Sequence, residues 1–380
     1  MNMGKNDISL SIPVVGEEEN AALREVIESG WLSMGAKVQA FENAFAALHG
    51  QKSAVALNSC TAALHLILRA FNIGPGDEVL VPAVTFVATV NAVLYVGATP
   101  VFLDIEDLGR PLLSLDEAAA KCSPKTKAAI VMHYGGYTVD MRHWRDFCDA
   151  RGIRLIEDAA HAPGVPGVGR LSDASAFSFF ANKNMSTAEG GMVLSPDEDV
   201  LSALRHMRGH GMTSDTLVRH RGHAYSYDVT MLGYNYRLDE LRAAVGLVQL
   251  RHLPEWNRKR NALTQAYRER LASEAPSVLV PFGEGHLTAA HLMPVLLPGN
   301  CRREGIMDSL RRSGIQSSIH YPPVHSFSYY RRLYPGIVLP KTEEFCRREL
   351  SLPLHPALEE ADVDRVVTHL REALEEGGGR

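Results

Sequence analysis

From Ala54 to Leu194 the chain alternates short apolar runs with helical patterns, and nothing else in it restricts the fold so strongly. Ala54–Leu57, Glu78–Val81, Pro100–Asp104, Ala128–Met132 and Ile153–Glu157 read as strands. Thr61–Phe71, Thr85–Val96, Leu115–Ala120 and Met141–Ala150, lying between them, read as helices. Gly74-Pro75-Gly76-Asp77 is a turn by composition. Ala174–Phe179 and Gly191–Leu194 extend the strand series. Short, nearly continuous apolar strands separated by helices predict a mostly parallel sheet covered on both faces. Ligands of such sheets collect at the carboxyl ends of the strands, where Asn58, Pro82, Asp158 and Phe180 fall.

The flanks complete an α/β plan. Glu17–Ser29 and Lys37–Leu48 have helical periodicity, with Trp31 and Gly35 in the turn between them. Leu238–Glu274 predicts a long helix. Beyond it, Leu292–Leu297 and Gln316–His320 read as strands, and Arg303–Ser313 and Ala361–Glu375 as amphipathic helices. The expectation is a large α/β domain over residues 1–255 and a smaller C-terminal α+β domain over residues 256–380. The boundary is soft, between Leu250 and Ala275. A chain of 380 residues has core enough for both. The tail Gly377-Gly378-Gly379 is expected to be disordered.

Charge and cysteine usage narrow the function classes. Formal net charge is -5 with no long basic block, which disfavours nucleic acid and anionic membrane surfaces as partners. The five cysteines are scattered and none forms a CxxC pair, so they read as reduced thiols in a cytoplasm. Met1 to Pro13 lacks a long apolar segment, and no run approaches the length of a membrane span.

The chemistry-bearing residues sit where the alternation places ligands. Asp158 ends one apolar run, and Ser178 and Lys183 follow the next. A lysine amine can form a Schiff base with an aldehyde. A carboxylate can hold a pyridine nitrogen protonated, so that the ring works as an electron sink. A serine hydroxyl can donate to a phosphate. Together they describe a site able to hold pyridoxal phosphate, and they point to amino-group transfer. The plainer alternative for Lys183 is a surface lysine in a loop. Asn58-Ser59-Cys60-Thr61-Ala62-Ala63 joins a strand to a helix, suiting either a phosphate at the helix N-terminus or an ordinary N-cap. Phe86 can stack on a flat ring or pack in the core. His161 can bond a phenolate oxygen or cap the following loop. Gly190-Gly191 permits tight backbone geometry or is merely a turn. Gly233-Tyr234-Asn235-Tyr236-Arg237 offers a polar, planar surface or a simple helix lead-in. His320-Tyr321-Pro322-Pro323-Val324-His325 offers imidazoles and a phenol suited to a polyol. Tyr236, His320 and Tyr321 are the candidate substrate contacts. No metal site is expected, since His320 and His325 have no acidic neighbour in sequence.

In the order of these motifs the chain resembles the DegT/DnrJ/EryC1/StrS family of sugar aminotransferases, within the fold type I pyridoxal-phosphate enzymes. The resemblance spans about Val14 to Glu375. It rests on Gly30 to Gly35, Asn58 to His65, Pro82 to Asn91, Glu157 to His161, Phe177-Ser178-Phe179 with Lys183, Glu189 to Gly191, Gly233 to Arg237, and His320 to Pro322. It implies a large domain with a mostly parallel seven-stranded sheet. It implies that Lys183 is the Schiff-base lysine and proton shuttle and that Asp158 pairs with the pyridine nitrogen. By the same resemblance His161 lies near the phenolic oxygen, Cys60, Thr61 and Ser178 bind phosphate, and Phe86 lies against the ring. Asn235 would reach the phosphate of a neighbouring subunit, making a homodimer with shared sites. Two departures are small: Cys60 and Ala188 stand where many members have Gly.

The expected reaction carries an amino group from an amino acid, glutamate or glutamine, to a keto-sugar, nucleotide-linked as in similar enzymes. Free cyclitol ketones are rival acceptors. A sugar dehydratase is a second class, disfavoured because those relatives have His where this chain keeps Lys183. A non-catalytic regulatory or binding protein on the same fold is a third. A nicotinamide-binding reading fails because no GxGxxG follows an early strand.

Overall fold

A computed structural model describes residues 7–213, 228–283, 285, 286 and 288–377. Met1–Asn6 and Gly378–Arg380, which include most of the glycine tail, lie outside the described residues. A seven-stranded sheet organises the larger part of the chain. Its strands are β1 (Ala54–Leu57), β2 (Glu78–Pro82), β3 (Thr99–Leu103), β4 (Thr126–Met132), β5 (Arg154–Asp158), β6 (Ala174–Ser178) and β7 (Gly191–Leu194). The order is β1-β7-β6-β5-β4-β2-β3. From β3 to β6 every pairing is parallel, while β7 runs antiparallel to both β6 and β1. The strands are apolar because both sheet faces are covered, and all four residues of β1 and of β7 are buried.

Helices α1 (Glu17–Ser29), α2 (Ala36–Leu48), α3 (Cys60–Ala70), α4 (Val87–Tyr95), α5 (Leu115–Lys121), α6 (Met141–Asp149) and α7 (Glu198–Met207) surround this sheet or flank it. α3, α4 and α7 share one core with Val55, Val79, Val81 and Ile130. α6 joins the opposite face through Trp144 and Phe147, against Leu80, Ala129 and Leu155. The long helix α8 (Glu240–Glu274) continues through Pro254. Its first half packs Ala243, Leu250 and Leu253 with Phe41 and Phe45 of α2. Its second half packs Leu263, Tyr267 and Leu271 into a separate core. That second core also takes Ile8, the antiparallel pair β8 (Met293–Leu296) and β9 (Glu349–Leu352), and the helices α9 (Arg303–Arg312) and α12 (Glu360–Gly377). Between them lie α10 (Ser328–Leu333) and α11 (Pro340–Arg348).

Two sequence expectations change. Gln316–His320 is not a strand. Only Ser318 pairs, with Ser351, and the next free donor, the His320 N–H, goes to the Glu349 carboxylate at 2.8 Å instead of a ladder carbonyl. The strand that does pair with β8 is β9, four residues directly after a helix and too short for periodicity to reveal. The helix expected from Thr85 begins at Val87, because Phe86 keeps an extended backbone as its N-cap.

Candidate active site

The sheet register builds one edge of a cavity. Leu57 at the end of β1, Gly191 at the start of β7 and Ser178 at the end of β6 lie side by side. Asp158 ends β5 next to Met132 of β4. A cavity of ≈ 470 Å³ opens at this edge, lined by Ser59, Cys60, Thr61, Phe86, Asp158, His161, Ser178, Lys183, His320 and Tyr321, among others. Residues from the N-terminal ends of α3 and α4, the ends of β4, β5 and β6, the β6–β7 loop and the segment 319–321 therefore converge on one space.

The N-terminus of α3 faces this space. Ser59 caps it, accepting from the Ala62 N–H at 3.1 Å. The N–H groups of Cys60 and Thr61 have no partner within the helix, which suits them to an anion. Glycine is required at 191, where a Cβ would lie 2.5 Å from the carbonyl of Ser59. β7 can pass directly under the anion-facing turn only without a side chain there. Burial and the nearby Asp158 push the Cys60 thiol up, so it stays protonated. The Ser178 hydroxyl accepts from the Phe180 N–H, which leaves its own hydrogen to donate.

Asp158 is buried, and Thr89 Oγ1 donates to its Oδ2 at 2.6 Å while the Ala160 N–H donates to Oδ1. Thr85 lies 2.6 Å from the same Thr89 hydroxyl. Since that hydroxyl gives its one hydrogen to Asp158, it must accept from Thr85. Burial raises the Asp158 carboxyl, against the lowering effect of Thr89, Ala160 and Lys183. A cationic partner in the cavity would reverse that rise.

Lys183 is partly buried and lines the cavity, not the outer surface. Burial brings its amine down to about 8, while Asp158 and Cys60 pull the other way. Its loop is pinned one residue on. The Asn184 amide donates to Asn257 and to the Ala289 carbonyl at 2.8 and 2.7 Å, and the Ser186 N–H donates to Gln249. Ala188 sits in the left-handed region at φ 65. The loop closes there despite the missing glycine, with the Ala188 N–H donating to Ser186 Oγ.

Phe86 is 55% exposed at the cavity wall, so it is not a core residue. His161 is buried, and both nitrogens are engaged. The Gly135 N–H donates to Nδ1, which places the ring hydrogen on Nε2, 3.1 Å from the Tyr321 hydroxyl. Burial, then Lys183 and His320, keep this imidazole neutral. Asn235 and Tyr236 lie outside the cavity of their own chain. The Asn235 side chain is exposed and its carbonyl accepts from Asn58. Tyr236 stacks on Tyr234 with centroids 5.0 Å apart and bonds His65 at 3.2 Å. His325 faces Glu343 at 3.1 Å, away from the cavity. Among the described residues no group of three or more His, Cys, Asp or Glu is arranged to hold a metal ion. No described helix is long and apolar enough to cross a membrane.

The sequence profile of the DegT/DnrJ/EryC1/StrS aminotransferase family matches residues 13–371. The chain belongs to that family. Among solved structures, this aminotransferase is similar to the aminotransferase TlmJ from Streptoalloteichus hindustanus. The two are 33% identical with a TM-score of 0.90, over 98% of this chain and 100% of that one. It is similar to the PLP form of Spr1654 from Streptococcus pneumoniae, described as a sugar aminotransferase. There the identity is 30% and the TM-score 0.88, over 97% and 99% of the two chains. It is also similar to DesI, solved in the presence of its TDP-sugar product, at 32% identity and TM-score 0.87, over 99% and 95%.

The aminotransferase uses pyridoxal phosphate, and the cavity fits that cofactor by the chemistry of its donors. A neutralisable amine, a buried carboxyl with room for one more donor, and a phosphate-sized set of N–H and O–H donors occupy three sides. Sequence reasoning gave no role to Thr89, which holds Asp158, or to Asn182 and Glu189, which line the cavity. Thr85 lies just ahead of α4 and Thr89 in its first turn, and the chain entering the helix brings the two hydroxyls together, so this Thr pair before an apolar helix was the available signal.

Proposed function

We propose that this aminotransferase moves an amino group from glutamate or glutamine to a ketone on a nucleotide-linked sugar, in the making of an amino sugar or secondary metabolite. One observation carries the reading. The cavity that joins Lys183 and Asp158 is walled on another side by Phe86, His320 and Tyr321, polar and aromatic groups suited to a hydroxyl-rich ring. The nucleotide linkage is supported by the likeness to DesI and its TDP-sugar product.

In this reading Asp158 meets the pyridine nitrogen, since Thr89 and Ala160 leave its carboxyl capacity for a third donor. Cys60, Thr61 and Ser178 hold the phosphate, and Phe86 lies against the ring. Bound pyridoxal phosphate supplies an electron sink for the carbon that gains or loses the amino group. Lys183 carries the proton at that carbon. An amine brought down to about 8 exists in quantity as both acid and base near neutral pH. His161 stays neutral and steadies Tyr321. Asn235 reaches the cofactor phosphate of a second copy, so the working unit is a homodimer with shared sites. Exposed Val229, Met231 and Leu232 near Asn235 support this, because a partner subunit would cover them. Five free cysteines suit a reducing cytoplasm. Residues 1–255 form the large, cofactor-bearing domain and 256–380 the small one.

The test is direct. The protein is loaded with pyridoxal phosphate and given 15N-labelled glutamate or glutamine, with nucleotide-linked keto-sugars and free cyclitol ketones offered in parallel. Mass spectrometry should find the label on a nucleotide-linked product. Label only on free cyclitols would replace the acceptor, and label on neither would overturn the reading.

A further inference from the structure

Behind the cavity wall lies a buried hydrogen-bond chain that the transamination chemistry above does not use. Glu349, the first residue of β9, is fully buried. Its Oε1 accepts from Ser351 Oγ at 2.6 Å, and its Oε2 from the His320 N–H at 2.8 Å. Glu349 and Ser351 reach the same side because alternate strand residues share a face. Ser351 Oγ in turn lies 2.8 Å from His320 Nδ1. The Tyr134 hydroxyl donates to the His320 carbonyl, so the peptide groups on both sides of this residue are held. His320 lines the cavity, and its Nε2 has no hydrogen-bond partner among the described residues.

Counting hydrogens makes this chain directional. Ser351 has one hydroxyl hydrogen and two neighbours able to take it. When it goes to an ionised Glu349, Ser351 must accept from Nδ1–H, and His320 presents a bare Nε2 lone pair to the cavity. When Glu349 is protonated and donates to Ser351, the serine hydrogen turns to Nδ1, and His320 presents Nε2–H. We propose that Glu349, acting through Ser351, is a positioning residue that sets which nitrogen of His320 carries the hydrogen, and so whether His320 accepts from or donates to a substrate hydroxyl. The substrate half of this inference rests on the keto-sugar reading; the tautomer half does not.

Burial pushes the Glu349 carboxyl up to about 8, although Ser351, the His320 N–H, Arg303 and Tyr134 all favour its ionised form. The titratable and charged groups facing it are Tyr134 from the turn after β4, Tyr321 and His320, Cys346 of α11 and Arg303 of α9. Burial raises both tyrosines and the thiol. The Arg303 guanidinium donates to the Cys346 and Glu349 carbonyls, not to the carboxylate. His320 itself is brought down to about 4 by burial and by Lys183, so it is neutral throughout the range in question. Among these groups the carboxyl is thus the one that changes state near neutral pH. Lys183, across the cavity from His320, is also brought down to about 8, but it does not act through Ser351, so the serine variants separate the two.

The experiment reads the tautomer, not the turnover. Holoenzyme carrying 15N-histidine is followed by long-range proton–nitrogen correlation from about pH 6 to about pH 10. H320Q identifies the His320 signals by their loss. In the wild type the hydrogen should move from Nε2 to Nδ1 as pH rises through about 8. E349Q should hold one tautomer across the range. S351A should remove the pH-linked exchange, and S351T, which keeps the hydroxyl, should restore it. If E349Q does not fold, the serine pair still decides. A His320 that keeps one tautomer in the wild type, or that exchanges equally well in S351A, overturns the proposal. Because no acceptor is added, failure of the keto-sugar reading would leave this result untouched.

Discussion

The sheet-side wall of the cavity and its C-terminal wall reach the same space by different means. Asp158, Ser178 and Gly191 come off strand ends whose register is set by backbone ladders. His320 and Tyr321 come off a segment with no ladder beyond Ser318, held by the side chains of Glu349, Ser351 and Tyr134. The first wall is positioned by many cooperative backbone bonds and a packed core. The second depends on a few polar contacts that single substitutions or a proton can change. On the function proposed above, this contrast makes the cofactor side fixed and the substrate side adjustable.

Substitutions on the two walls should separate accordingly. Lys183→Ala should lower turnover by about 10³-fold or more, since the proposed function gives Lys183 both the imine and the proton transfer. Its circular dichroism spectrum should match the wild type, and normal turnover would remove Lys183 from the chemistry. Asp158→Asn should cost about 10²- to 10³-fold in kcat, the scale of losing one preorganised charge. Near-normal kinetics would mean that the pyridine nitrogen has another partner. On the other wall, Tyr321→Phe removes one hydrogen bond to His161 and should cost only about three- to tenfold in kcat/KM. A loss as large as that of Asp158→Asn would erase the distinction between the walls.

Stability without cofactor gives two smaller tests of the sheet side. The folded state holds Lys183 at about 8 against an ordinary 10.5, so between those values the unfolded chain binds more protons and stability rises with pH. Below about 8 the cost of burying the ammonium is present in full. Lys183→Met should therefore stabilise the apoprotein by about 1 kcal/mol at pH 7, after allowance for water in the cavity. The gain should shrink as pH climbs, and urea melts at several pH values would expose a gap that does not. Ala188→Gly relieves the left-handed backbone at φ 65 but loosens the unfolded chain, for a net gain of about 0.5 kcal/mol or less. A clear loss of melting temperature would show that the Cβ of Ala188 is needed for packing.

Much of the sheet-side wall was readable because a strand end is a local event. An apolar run followed by Asp158, and another by Ser178 and Lys183, predicts where the side chains emerge before any partner strand is known. The sheet itself followed from alternation, although nothing local marks β7 as antiparallel; that needs its pairing with β1 and β6. Phe86 shows the limit at a single residue. Stacking and core packing look alike in sequence, and exposure at the cavity removes only the core reading.

What the sequence determined by itself, then, was the alternating α/β plan and the placing of Lys183 and Asp158 at the carboxyl edge where the cavity opens, properties of short stretches whose periodicity and ends carry the information. What only the tertiary structure decided was the company those residues keep. Thr89 on Asp158 is 69 residues away, Tyr321 on His161 160, and Ser351 on His320 31. Hydrogen bonds are short-ranged in space and indifferent to sequence distance. The groups that set a buried proton's position therefore become visible only when packing brings the walls together.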